Sequence, residues 1–123
     1  MLILLIDDDK DLLNLTQTVL EKHGYEISAF TTAEEGIAYA RSNKPNLILM
    51  DLMLPGISGE EAVKLLRSDD NLRTVPVVFL TGLVGAEESG HDQKLKVDGL
   101  NYVSLGKPFT IQKLLEIVRK FAV

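Results

Sequence analysis

The chain has 123 residues, of which 46% are hydrophobic and 25% are charged, a mixture typical of one globular domain with a buried core. The absence of cysteine excludes disulfides and thiolate metal sites, and the net charge of −5 argues against direct binding to nucleic acid. The first apolar run, residues 1–6, is too short for a signal peptide or a membrane span. We therefore expect one soluble cytoplasmic domain, residues 1–123, without membrane contact.

Apolar runs and helical patterns alternate from the start of the chain. The continuous run LILLI at 2–6 predicts a parallel strand that is covered on both faces. From Asp9 to His23 the leucines and valine have helical spacing, and Gly24 is a stop signal. The alternating run YEISAF at 25–30 predicts a strand nearer the edge of the sheet.

The same alternation continues through the middle of the chain. The stretches TAEE, which begins at Thr32, and SGEE, which begins at Ser58, each resemble a capping box at the start of a helix. The first of these helices is expected to end near Ser42. The apolar runs at 46–50 and 75–80 predict two more buried strands.

The segment before the last helix departs from this pattern. A helix is expected after the fourth strand, but the stretch GAEESGHDQKLK has little apolar face for a helix to bury. We expect at most a short helical turn at 86–89. The Asp98-Gly99 pair between strand-like flanks predicts a β-hairpin around residues 94–105, whose second arm is the last core strand. A clear apolar stripe over 111–122 predicts the final helix. The alternation indicates a doubly wound α/β domain, with a parallel sheet and helices on both faces.

Polar side chains follow the predicted strands. Asp7 and Asp8 follow the first strand, Asp51 the third, Thr81 the fourth and Lys107 the last. Because ligands of an open parallel sheet bind at the carboxyl ends of its strands, we expect these groups to converge in one cleft. Clustered carboxylates repel, so each should have a raised pKa or need a cation, and oxygen ligands suit Mg²⁺ or Mn²⁺. A carboxylate beside such an ion can act as a nucleophile toward phosphorus.

Four stretches, LLIDDD, ILMDLMLPGISG, VFLTG and GKPF, stand in the order and spacing of a bacterial two-component response-regulator receiver domain. The resemblance covers essentially the whole chain. It implies a CheY-like, flavodoxin-like sheet of five parallel strands in the order 2-1-3-4-5, with the fourth helix short or replaced by the hairpin. It also implies a signalling switch, not an enzyme, that accepts a phosphoryl group from a sensor histidine kinase, a histidine phosphotransfer protein or a small acyl phosphate. An unknown downstream protein would then read the switch.

The resemblance assigns roles to the residues of the metal site. Asp51 is similar to the phosphoacceptor of the family. Asp8 and Asp51 resemble the direct Mg²⁺ ligands, together with the main-chain carbonyl of Met53, and Asp7 resembles the residue that binds through metal-bound water.

Further residues resemble the groups that contact the phosphoryl oxygens. These are the Lys107 ammonium, the Thr81 hydroxyl and the backbone N–H groups of Met53 and Gly82. Pro108 resembles the cis-proline that aims the preceding lysine into the cleft.

Two features differ from the family pattern. Receivers usually carry an aromatic switch residue three positions before the lysine, where this chain has Ser104. Tyr102 lies on the same face of the predicted strand, so Tyr102 and Ser104 are the candidate switch residues. The hairpin replaces part of the usual output surface, so the typical receiver dimer is not assured.

Two other functions are compatible with parts of the sequence. The Asp-x-Asp pattern of Asp7 and Asp9 also occurs in phosphatases of the haloacid-dehalogenase class, where Asp7 would be the nucleophile and Asp9 the general acid. Asp11 stands where that family usually has threonine or valine. The other alternative function is that of a pseudo-receiver, which binds a partner without being phosphorylated.

Overall fold

The computed structural model describes residues 1–81, 92–97, 100–107 and 109–121. Its strands are β1 (Leu2–Ile6), β2 (Glu26–Phe30), β3 (Leu47–Asp51), β4 (Val77–Thr81), β5 (Asp92–Val97) and β6 (Leu100–Gly106). Its helices are α1 (Lys10–Lys22), α2 (Ala33–Ser42), α3 (Gly59–Arg67) and α4 (Ile111–Phe121). None of the helices found in these ranges is long and apolar enough to reach across a bilayer.

One sheet contains all six described strands, in the order β2-β1-β3-β4-β6-β5. The first five in this order are parallel, which confirms the predicted parallel order 2-1-3-4-5 with β6 as its fifth strand. β5 adds an antiparallel edge, with Asp92 opposite Leu105 and Val97 opposite Leu100. The hairpin prediction is therefore confirmed, and the sheet has six strands instead of five. The turn at 98–99 and the helical turn expected at 86–89 lie outside the described residues.

The core consists of two layers, one on each face of the sheet. Successive strand residues point to opposite faces, and the parallel strands are apolar at nearly every position because both faces are covered. α2 and α3 cover the face that carries Leu4, Met50, Phe79 and Tyr102. α1 and α4 cover the opposite face, where the strands contribute side chains such as Leu5. The polar residues that end or follow the strands lie between these two layers, at the carboxyl ends of the strands.

The predicted helix starts are confirmed by their caps. Thr32 accepts a hydrogen bond from the backbone N–H of Glu35 at 3.3 Å, and Ser58 accepts one from Glu61 at 3.2 Å. The Thr32 hydroxyl also donates to the Glu35 carboxylate at 3.0 Å. Asp9 caps α1 through the backbone N–H of Leu12. These caps satisfy N–H groups that a helix leaves without intrahelical partners. They also fix the residue at which each helix begins after the preceding strand.

Candidate functional site

Three carboxylates meet at the carboxyl ends of two neighbouring strands, β1 and β3. Asp7 directly follows β1, and Asp51 is the last residue of β3, its neighbour in the sheet. Each of Asp7, Asp8 and Asp51 offers a carboxylate oxygen within 4.8 Å of those of the other two. Asp7 is 2% exposed and Asp51 7%, whereas Asp8 is exposed. The acidic site is thus a buried pair with one carboxylate at its mouth.

Lys107 supplies the positive charge of the site. It follows β6, and its Nζ donates to Asp7 Oδ2 at 2.7 Å and to Asp51 Oδ2 at 3.0 Å. The lysine is 100 residues from Asp7 in sequence. The sequence pattern predicted that Lys107 would enter the cleft, and in the structure it bridges the two buried carboxylates.

The second oxygen of each buried carboxylate is held by the backbone. Asp7 Oδ1 accepts from the N–H of Asp9 at 3.0 Å, and Asp51 Oδ1 accepts from the N–H of Met53 at 3.1 Å. Both side chains are therefore fixed at two points, one oxygen by an N–H group and the other by the ammonium. These hydrogen bonds hold each carboxylate in a defined orientation at the site.

Burial and charge act in opposite directions on the ionisation of the site. Desolvation raises the pKa of Asp51, and the hydrogen bonds from Lys107 and the Met53 N–H only partly offset it, so this pKa lies above its ordinary value. For Lys107, desolvation alone would lower the pKa. Hydrogen bonds and charge from Asp7 and Asp51 outweigh that effect, so the pKa of Lys107 is raised. One lysine does not fully compensate the buried negative charge, and a further cation would be favoured here.

The loop between β3 and α3 brings the helix start against Asp51. Gly59, the first residue of α3, lies so close that a Cβ there would be 2.9 Å from the main-chain oxygen of Asp51. Its N–H donates to the carbonyl of Leu52 at 3.0 Å. Gly56 has a φ of 78°, and a Cβ there would also approach the Glu34 carboxylate. Glycine is required at both positions, for close approach at one and for backbone conformation at the other.

Three residues with predicted roles at the phosphoryl group are described only in their backbone or lie outside the described residues. Thr81 ends β4 and pairs in register with Gly106 of β6, so its backbone reaches the same sheet edge as Asp51, while its side chain is not described. Gly82 and Pro108 lie outside the described residues. The roles of these three residues stay predictions.

Tyr102 and Ser104, the candidate switch residues, are both buried. Ser104 pairs in register with Phe79, and Gly106 pairs with Thr81. Tyr102 is four residues before Gly106, which places it roughly 13 Å along the strand from the end of the sheet. Its ring makes an edge contact with Phe79, with centroids 5.7 Å apart. Tyr102 is thus part of the core, one step further from the site than Ser104.

Arg67 at the end of α3 holds Tyr102, which the sequence did not indicate. Its Nε donates to the Tyr102 hydroxyl at 2.9 Å, and its guanidinium carbon is 5.4 Å from the centroid of that ring. Nη1 also donates to the main-chain oxygens of Arg73 and Val75 at 2.9 and 3.0 Å. A basic residue in a last helical turn normally indicates only a favourable interaction with the helix dipole. Nothing in the sequence near Arg67 pointed to Tyr102, 35 residues away.

The donor atoms of the acidic site fit a small hard cation. Asp7, Asp8 and Asp51 offer only carboxylate oxygens, the ligand type that Mg²⁺ prefers, and Mg²⁺ is usually bound by one or two carboxylates together with water. The exposed side chain of Asp8 leaves the mouth accessible to solvent. The residues present are therefore suited to Mg²⁺.

Comparison with known proteins agrees with this geometry. The family model for the response regulator receiver domain matches residues 3–119. The polar-differentiation response regulator DivK of Brucella anthropi is 30% identical over 120 residues, which cover 97% of this chain and 94% of the relative.

Solved structures have the same fold. The chemotaxis response regulator CheY4 of Vibrio cholerae superposes with a TM-score of 0.81 at 23% identity, over 98% of this chain and 97% of that one. The receiver domain of sensor histidine kinase PA1611 from Pseudomonas aeruginosa has a TM-score of 0.79 at 26% identity, over 98% and 96%. That structure holds a magnesium ion in its active site cleft. The chain belongs to the response regulator receiver domains of two-component signalling systems.

Proposed function

We propose that this receiver is switched by transfer of a phosphoryl group to Asp51. The observation that carries the proposal is the bridge from Lys107 to Asp51 and Asp7 at 3.0 and 2.7 Å, beside the exposed Asp8. A carboxylate nucleophile and a cation for the phosphoryl oxygens thus share one site. The ordinary pKa of this carboxyl group is 3.8, and burial raises the pKa of Asp51 above that value.

The transfer is a displacement at phosphorus. A carboxylate oxygen of Asp51 forms the new P–O bond while the P–N bond of a phosphohistidine breaks, and the leaving imidazole keeps the electron pair of that bond. With a small acyl phosphate the bond that breaks is P–O. Lys107 then pairs with the oxygens of the transferred group. The Thr81 hydroxyl and the backbone N–H groups of Met53 and Gly82 donate hydrogen bonds to the same oxygens. The chain contributes positioning and charge neutralisation.

Mg²⁺, or Mn²⁺, is the proposed cofactor. Asp8, Asp51 and the main-chain carbonyl of Met53 would hold it directly, and Asp7 through water. When bound, the ion neutralises negative charge on the carboxylates and on the incoming phosphoryl oxygens.

The proposed partners follow from the transfer chemistry. Receiver domains interact with histidine kinases and with downstream effectors, and we assign this chain a sensor kinase or a histidine phosphotransfer protein as donor. A downstream protein would bind one of the two states. The acidic net charge of −5 makes nucleic acid an unfavourable partner for this domain.

The direct test is modification by acetyl phosphate in MgCl₂, followed by intact-mass measurement. We expect one phosphoryl adduct in the native chain, loss of the adduct when MgCl₂ is replaced by EDTA, and no adduct in Asp51→Asn. Asp11→Asn is the matched control because Asp11 is an exposed aspartate on α1.

Two outcomes would contradict the proposal. An adduct that persists in Asp51→Asn and disappears in Asp7→Asn would favour the phosphatase reading. A folded native chain that binds Mg²⁺ but takes no phosphoryl group from acetyl phosphate or a phosphohistidine donor would favour the pseudo-receiver.

A further inference from the structure

A buried hydroxyl lies on the face of α1 that packs on the sheet. The buried residues of this helix are Leu13, Thr16 and Leu20, and Thr16 is 4% exposed. Threonine in a helix commonly donates to the carbonyl four residues earlier, as Thr18 does to Asn14 at 2.8 Å. Within the part of the chain that the structure describes, Thr16 makes no side-chain hydrogen bond. Buried polar groups normally have a partner, so Thr16 needs an explanation.

A small cavity of ≈ 10 Å³ lies next to Thr16 and Asp7. The other described residues of its wall are aliphatic: Leu5, Ile6, Leu13, Leu49 and Leu80. Every fully enclosed side-chain oxygen or nitrogen among the described residues has a hydrogen-bond partner. The Thr16 oxygen has none, so it borders accessible space, and Thr16 is one of the residues that line this cavity.

Asp7 offers acceptor capacity on the same cavity. Each oxygen of a carboxylate can accept about two hydrogen bonds. Asp7 Oδ1 accepts one from the Asp9 N–H, and Oδ2 accepts one from Lys107. The carboxylate can therefore accept a further hydrogen bond although it is only 2% exposed.

We propose that a single water molecule binds in this cavity and bridges the Thr16 hydroxyl to the Asp7 carboxylate. The volume suits one water, which needs roughly two to four polar partners. The water would donate to Asp7 and accept from Thr16, and so give the buried hydroxyl its missing partner. Thr16 is then a positioning residue for the acidic site, since it fixes the orientation of Asp7 from behind.

The consequence for the metal rests on the proposed function. Outer partners of metal-binding carboxylates commonly change affinity by about 10- to 100-fold when they are removed. Asp7 is expected to act through metal-bound water, so the effect should lie at the lower end of this range. We expect Thr16→Val to raise the Kd for Mg²⁺ about tenfold.

The test combines crystal structures with a Mg²⁺ titration followed by amide NMR shifts. Thr16→Val removes the hydroxyl with little change in shape, and Thr16→Ser retains it. Thr18→Val makes the same chemical change at an exposed position of the same helix. We expect electron density for the water in the native chain, in Thr16→Ser and in Thr18→Val, and its loss in Thr16→Val. Mg²⁺ affinity should fall only in Thr16→Val.

The outcomes separate this inference from the proposed function. No water in the native cavity, or a water that persists in Thr16→Val, would overturn the inference. Unchanged Mg²⁺ affinity after loss of the water would overturn the positioning role. If the native chain binds no Mg²⁺ the proposed function fails, and the crystal structures still decide whether the water is bound.

Discussion

At the scale of single residues, the electrostatic balance of the acidic site depends on Lys107. Its side chain is 19% exposed, and both of its partners are more deeply buried. Removing one member of a buried ion pair leaves a charge that is neither solvated nor paired, which costs more than the pair itself contributes.

We therefore expect Lys107→Met to lower the free energy of unfolding by about 3 kcal/mol. Mg²⁺ should restore more stability to this variant than to the native chain, because Asp7 and Asp51 then have no other countercharge among the described residues. Urea unfolding with and without MgCl₂ measures both effects, and Lys64→Met, an exposed lysine on α3, is the control. Equal destabilisation by the two variants would contradict this account of Lys107.

The ionisation of Asp51 gives a pH dependence with a definite sign. Burial raises the pKa of Asp51 above 3.8, its ordinary value, so the folded state holds this proton more tightly than the unfolded state. Stability from this group is greatest below pH 3.8 and is lost as the pH rises through the raised pKa. Asp51→Asn should therefore be more stable than the native chain at pH 7, and the difference should shrink as the pH falls toward 4. Urea unfolding of both proteins across this range measures it, and a difference that grows in acid would reverse the sign.

The residues of the site differ in how far the sequence predicts them. Asp7, Asp8, Asp51 and Lys107 were predictable, because each follows or ends an apolar run and the ends of parallel strands meet at one edge. Arg67 was not, since its contact with Tyr102 depends on how α3 lies across the sheet. Local sequence patterns do not encode that placement.

At the scale of elements, Arg67 and Tyr102 join α3, the loop that follows it and strand β6. Tyr102→Phe removes the hydroxyl and should cost about 1 kcal/mol. In a double-mutant cycle with Arg67→Met we expect a coupling energy of about 1–2 kcal/mol, because the donor of the hydrogen bond to the Tyr102 hydroxyl is charged. Tyr39→Phe is the control, as Tyr39 packs on Phe30 and is half-buried. Additive effects would show that the contact is not formed in solution.

The position of the hairpin in the sheet predicts different amide hydrogen-exchange rates for β5 and β6. β6 lies between β4 and β5, whereas β5 pairs with β6 alone among the described strands. We expect amides of β6 to exchange slowly, like those of β1, and those of β5 to exchange faster, as in the other edge strand, β2. Amide exchange followed by NMR gives each rate. Uniformly fast exchange over 92–106 would contradict the hairpin.

The hairpin itself could be predicted, but the exact strand ends could not. The Asp98-Gly99 pair and the lack of an apolar helical face both indicated the hairpin. The third and fourth strands start one and two residues later than predicted and continue to Asp51 and Thr81. Those polar residues still pair in the ladder, which apolar runs alone do not reveal. Pro76 precedes β4, where its carbonyl accepts from the N–H of Ile48 at 3.0 Å.

At the scale of the whole molecule, the two core layers draw on distant parts of the chain. α1, near the start, and α4, near the end, cover one face of the sheet, and α2 and α3 cover the other. Alternation of strands and helices was sufficient to predict helices on both faces of the sheet, but not which helices share a face. The strand order followed from the family resemblance, because alternation alone is compatible with several orders.

The ion pair between Asp7 and Lys107, 100 residues apart, has a consequence for protein synthesis. A ribosome releases the three aspartates long before the lysine, so a chain whose synthesis stops before Lys107 has the acidic cluster without its counterion. The chain acquires a complete site only when β6 joins the sheet. An assembled ion pair at the acidic site therefore reports that synthesis has passed Lys107 and that β6 has joined the sheet.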